Sequence, residues 1–74
     1  MEKVIPLCER LRKLLAERNE SIRHFEWETG MDRRIMYIYK HKYRKATLMA
    51  LAYYFNMRVE DLVAGTDAED FWYS

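Results

Sequence analysis

The 74-residue chain contains one cysteine, one proline and two glycines, and each scarcity excludes something. A lone Cys8 closes no internal disulfide and has no companion at metal-ligand spacing; it is best read as a small packing residue of a first helix. No apolar run approaches the roughly 18 residues that a membrane span requires. The first residues also lack the charged-then-apolar order of a secretory leader, so an intracellular, cytoplasmic protein is expected. There is no glycine-rich phosphate loop and no nucleophile set beside a base. His24 and His41 fall in different segments without carboxylate or cysteine partners. Nothing points to an enzyme, and no cofactor, metal or small-molecule ligand is expected.

What is present is a folding composition, 50% hydrophobic and 34% charged, which favours an ordered domain over a disordered one. At this length the core is small, because such a chain buries only about 60% of the surface it would expose unfolded. Leu7, Leu11, Leu14 and Leu15 recur at helical spacing after Pro6, which suits a helix start. Ser21 is a cap for a second helix anchored by Phe25, and Asp32 a cap for a third with Met36 and Tyr39 facing inward. Thr47 introduces a fourth, with Leu48, Leu51, Ala52 and Phe55 inside. Val59, Leu62 and Val63 make a short fifth. Both glycines, Gly30 and Gly65, fall at predicted helix ends, and Asn19 and Asn56 stand at the other two. No segment shows sustained period-two alternation of β-branched residues, so no strand is expected. The fold class is all-α, a compact five-helix domain over 1–65 followed by an acidic and aromatic tail, 66–74. Tyr53 and Tyr54, like Met36 and Tyr39, are expected to pack.

The rest is organised around the segment 21–40, SIRHFEWETGMDRRIMYIYK. Two helices joined by a turn at Gly30 form a helix-turn-helix unit, whose second member, here about 32–40, enters the DNA major groove with its N-terminal residues at the bases. Net charge is only +1, a weak attraction for a polyanion. Its distribution is uneven. Residues 1–32 carry six basic and seven acidic side chains, 33–45 six basic and no acidic, and 46–74 one basic and five acidic, giving −1, +6 and −4. Positive charge is therefore concentrated where the third helix and its continuation lie, which suits a phosphate-contacting surface.

With LCERLRKLLAERN as first helix, SIRHFEWETGMDRR as turn unit and FNMRVEDLVAG as closing segment, the chain resembles the phage Cro and lambda-repressor type of helix-turn-helix protein, the XRE-type family. The resemblance runs from Leu7 to about Gly65. It implies a sequence-specific DNA-binding transcriptional regulator, a repressor acting by operator occupancy. It also implies double-stranded DNA with a palindromic operator as partner, and a homodimer. Ser21 matches the family's phosphate-facing cap, and Arg23 lies in the same helix. Asp32, Arg33, Arg34 and Tyr37 match base- or phosphate-contacting positions, with Arg33 and Arg34 favoured as guanine readers. His41, Lys42, Arg44 and Lys45 would follow the DNA backbone.

Three departures qualify the match. Glu26 stands where the family has a small residue, so it must reach the surface, toward Arg23 or Arg34, or hold the two helices apart. The connection 41–47 is about three residues shorter than the common form. Ile22 replaces a polar residue after the cap. Together with the near-neutral charge and the aromatic tail, these features keep a second reading open: a protein-interaction adaptor, antitoxin-like or phage-regulatory, that keeps the fold without reading DNA. The tail itself is either frayed or packed on the domain or on a second copy, since three adjacent aromatics are costly to leave in water.

Overall fold

A computed structural model describes residues 4–39 and 42–74. Among them are five α-helices and one short 3-10 turn: α1 (Leu7–Glu17), α2 (Ile22–Thr29), the 3-10 turn (Arg33–Met36), α3 (Lys45–Tyr54), α4 (Val59–Val63) and α5 (Glu69–Tyr73). The all-α architecture is as expected, although the five helices are not the expected five. The third is reduced to a single turn, and the acidic-aromatic tail supplies another.

Helical spacing explains the core. Leu7, Leu11 and Leu15 of α1, Phe25 of α2, Leu48, Leu51 and Ala52 of α3, Phe55, and Leu62 and Val63 of α4 are all buried together with Met36 and Tyr43. Cys8 is buried among them and free. All four anticipated turn residues adopt left-handed backbone: Asn19 at φ 60, Gly30 at 73, Asn56 at 55 and Gly65 at 75. At Gly30 this closes α2, whose last turn is completed by the Gly30 N–H donating to the Glu26 carbonyl at 2.8 Å. Only glycine adopts that conformation without a Cβ penalty.

The expected helix over 32–40 does not form within the described residues. Tyr37 already leaves helical geometry, at φ −130 and ψ 3. From Met36 to Tyr39 burial alternates residue by residue, buried, exposed, half-buried, exposed, along a non-helical segment. Two causes act together. Tyr37, Ile38 and Tyr39 are β-branched or aromatic and lose rotamer freedom in a helix. The Ile35 carbonyl, which would accept from the Tyr39 N–H in an α-helix, instead accepts from the buried Tyr43 hydroxyl. Tyr39 therefore faces solvent, contrary to its expected inward place. Two other expectations fail nearby. Helix α3 begins at Lys45 after Arg44, with Thr47 inside it and no side-chain cap, because Lys45 and Ala46 are themselves good helix formers. Tyr53, on the outer face of α3, is almost fully exposed.

Residues after Gly65 are bound to the start of the chain. The Ile5 N–H donates to the Gly65 carbonyl at 3.1 Å, and the Asp67 N–H to the Ile5 carbonyl at 2.9 Å. The Asp67 carboxylate then accepts from the Leu7 N–H at 2.9 Å, serving the first turn of α1 in place of Pro6, whose side chain has no oxygen. Helix α5 follows, with Phe71 and Trp72 half-buried against the core. Elsewhere Arg10 donates to the last carbonyls around α4, Asp61 at 3.2 Å and Ala64 at 2.8 Å. Arg18 ties the end of α1 to that of α3 through the Tyr54 carbonyl at 2.9 Å, Glu20 at 2.9 Å and the faces of Tyr54 and Phe55.

Candidate nucleic-acid interface

The 3-10 turn packs on both α1 and α2, and two carboxylates set its shape. Asp32 precedes it and accepts from the Arg34 N–H at 2.8 Å, an N-cap. The same carboxylate also binds the Arg34 side chain through Nε at 3.2 Å and Nη2 at 3.0 Å. These bonds hold the Asp32 carboxyl below its ordinary range and the Arg34 guanidinium above its own. The second carboxylate is Glu26, reaching from α2. Its Oε2 accepts from the Arg33 N–H at 3.0 Å and its Oε1 faces the Arg33 guanidinium at 3.2 Å. The expected partner of Glu26 is Arg23 or Arg34; the observed one is Arg33, because the backbone N–H at the entry of the turn lies within reach of α2's fourth residue from the end. Among the described residues no carboxylate is buried without a hydrogen-bond partner, and the small family residue is replaced by a strut.

Arg33 and Arg34 nevertheless present their guanidinium groups to solvent, with side chains 63% and 84% exposed. Ser21 caps α2 by accepting from the His24 N–H at 3.0 Å, and Ile22 behind it packs half-buried on the core. Arg23, Lys42 and Arg44 are exposed. His41 lies outside the described residues. Lys45 is exposed but engaged: its ammonium donates to the Ser74 carbonyl at 2.7 Å and sits 5.7 Å from the centre of the Phe71 ring.

Two residues that the sequence did not mark belong to this region. Tyr39, expected in the core, is 63% exposed, next to Tyr37 at 50%. Arg12 of α1 places its guanidinium 5.5 Å from the centre of the Tyr37 ring. The neighbouring Tyr39 side chain, and Cys8 with it, raise its pKa against the opposing effect of burial. Its Nε is buried with no hydrogen-bond partner among the described residues. The only signal in the sequence that could have found this was the period-two spacing of Tyr37 and Tyr39.

Trp27, Met49 and Tyr53 are also exposed, and Tyr53 lines a groove of about 350 Å³ with Glu28, Thr29, Met31, Ala50 and Tyr54. Among the described residues no group of histidine, cysteine and carboxylates is arranged to hold a metal ion. No described helix is long and apolar enough to cross a membrane.

A family model for the Cro/C1-type HTH DNA-binding domain matches residues 10–67. No curated protein and no solved structure matches the chain.

Proposed function

The chain belongs to the Cro/C1-type helix-turn-helix DNA-binding family, and from that premise we propose that it is a sequence-specific transcriptional repressor that occupies a palindromic operator as a homodimer. The observation that carries the reading is the pair of adjacent, solvent-facing arginines, Arg33 and Arg34, on a turn whose backbone is fixed by Glu26 and Asp32. The element offered to the duplex is this 3-10 turn with the non-helical residues that follow it. Each arginine carries the planar fork that matches guanine O6 and N7, and Arg23, Lys42 and Arg44 supply exposed charge for phosphates. Two half-sites would lie about one DNA turn, roughly 34 Å, apart.

Fluorescence anisotropy on duplex DNA tests this. With four to six phosphates neutralised per protomer, log affinity falls against log salt with a slope of about −4 to −5. Binding that ignores salt, or Arg33→Ala and Arg34→Ala variants that bind like wild type, overturns the proposal. A second reading, the protein-interaction adaptor, is supported by the exposed Trp27 and by the exposed Tyr53 that lines an open groove. It predicts no salt-dependent duplex binding in the same titration.

A further inference from the structure

We propose that Tyr37 and Tyr39 form an apolar reading surface for thymine methyl groups, with Arg12 as the positioning residue that holds the two rings in place. The inference rests on duplex binding as proposed above and deepens it by naming what is read.

The arginines alone are an incomplete reading head. Arg33 is engaged by Glu26 and Arg34 by Asp32, so each must give up a carboxylate before it can grip a base. Tyr37 and Tyr39 carry no such obligation at their exposed ring surfaces. They stand two apart directly after the turn that carries the arginines, and both interact with the Arg12 side chain. Ring carbons in this position make the apolar contact by which a thymine C5-methyl is distinguished in the major groove.

Exposed tyrosines on irregular chain are ordinarily mobile, and mobility would spoil discrimination. Here one side chain from α1 restrains both. The Arg12 guanidinium lies over the Tyr37 ring at 5.5 Å, and Tyr39 is the strongest influence on its charge. A cation over an aromatic face is attractive in its own right, more so when shielded from water, and Arg12 is half-buried, with its Nε buried. Arg12 therefore serves as a brace, and its charge is not one of those offered to phosphate.

The test starts from a binding site selected by wild-type protein out of a random duplex pool. Replacing thymine by deoxyuridine in that site deletes the methyl and leaves base pairing intact. Wild type should lose about four-fold in affinity for each methyl in contact, the factor expected for burying one carbon. Tyr37→Ser with Tyr39→Ser should bind the thymine and uracil duplexes alike. Arg12→Met, which keeps the stem but not the stacking head, should also lose the discrimination while its salt slope on random duplex stays that of wild type. Arg12→Lys, which keeps the charge, should not restore it. A thermal melt of each variant shows that it is folded; if Arg12→Met is not, the tyrosine variants decide. A selected site without thymine, wild-type indifference to uracil, or variants that discriminate as wild type does, overturns the inference and leaves the repressor reading standing. Failure of wild type to bind any duplex in a salt-dependent manner removes both.

Discussion

Replacing Glu26 by alanine tests whether the turn bearing Arg33 and Arg34 is a braced element or a loose loop. The carboxylate makes one charge-assisted hydrogen bond to a backbone N–H at 3.0 Å and one ion pair at 3.2 Å. A hydrogen bond to a charged group contributes about 1.5–3 kcal/mol net, and partial exposure places this one at the low end. The ion pair adds little, since its arginine is mostly in water and exposed pairs are worth about 0–1 kcal/mol. Glu26→Ala should therefore destabilise the domain by about 1.5 kcal/mol, or about 6–12 °C in Tm at the usual sensitivity of a domain this small. Glu26→Gln retains an acceptor for the Arg33 N–H but not the charge, and should lose less than about half as much. That variant also frees the Arg33 guanidinium, so the salt slope on random duplex should steepen by about one unit. Circular dichroism melts and anisotropy titrations read both effects. If Glu26→Ala melts within about 2 °C of wild type, a shift worth well under 1 kcal/mol, the brace is illusory and the orientation of the arginines has some other cause.

Other substitutions bear on separate contacts. Asp67→Ala removes the acceptor for the Leu7 N–H and should cost about 1 kcal/mol, a cap's worth, seen as a drop of about 4–8 °C in Tm. The carboxyl of Asp32 has a folded pKa depressed below 3.8 by Arg34, so its ionised form adds stability above that value and the gain disappears as pH falls through the folded pKa. Asp32→Asn, which can still cap the turn, should melt below wild type at pH 5 and converge with it under pH 3.8; a gap that is constant with pH counts against the ion pair. Burial and the bond to Glu20 push the Tyr54 phenol up to about 12. Its contribution is complete below the ordinary value of 10.0 and is lost as pH rises through 12. Ultraviolet titration should show a tyrosine ionising near 12 that is missing in Tyr54→Phe. Lys45→Ala should loosen α5, raising hydrogen exchange at its backbone amides, because the ammonium holds the Ser74 carbonyl and covers the Phe71 ring.

Much of this architecture is written in short-range pattern. The leucines of α1 and the Leu48, Leu51, Ala52 and Phe55 face of α3 repeat at three and four residues, and all but the half-buried Leu14 are buried. Asn19, Gly30, Asn56 and Gly65 were legible as left-handed turn residues because so few alternatives exist in the chain. What could not be read locally was decided at a distance. The third helix fails because a hydroxyl eight residues away, that of Tyr43, takes the Ile35 carbonyl. The order of the tail depends on Asp67 meeting the Leu7 N–H across 60 positions. Glu26 could be flagged as an anomaly from the sequence, but choosing Arg33 over Arg23 or Arg34 required knowing that the chain turns back at Gly30 with the Arg33 amide facing α2. Tyr39 was misplaced because a helical period was carried into a segment whose period is two.

The electrostatic consequence follows from those same contacts. Counted along the sequence, residues 33–45 bear six positive charges and no negative one, as though a cationic ridge awaited phosphate. In space Glu26 and Asp32 stand against two of those charges and the Ser74 carbonyl against a third; Lys40 lies outside the described residues, and Lys42 and Arg44 have no ion-pair partner among them. Exposed pairs of this kind are worth about 0–1 kcal/mol each, so a phosphate or a guanine edge can displace the carboxylate at small net cost. Until it does, the carboxylate weakens the long-range attraction that drives non-specific adhesion. Internal pairing therefore lowers affinity for any duplex alike, and the contacts that survive as discriminating are those a correct site can exchange one for one. Glu26→Gln should on this reasoning raise affinity for random duplex and for a selected site alike, and a variant that gains at neither would show that the carboxylate was never competing.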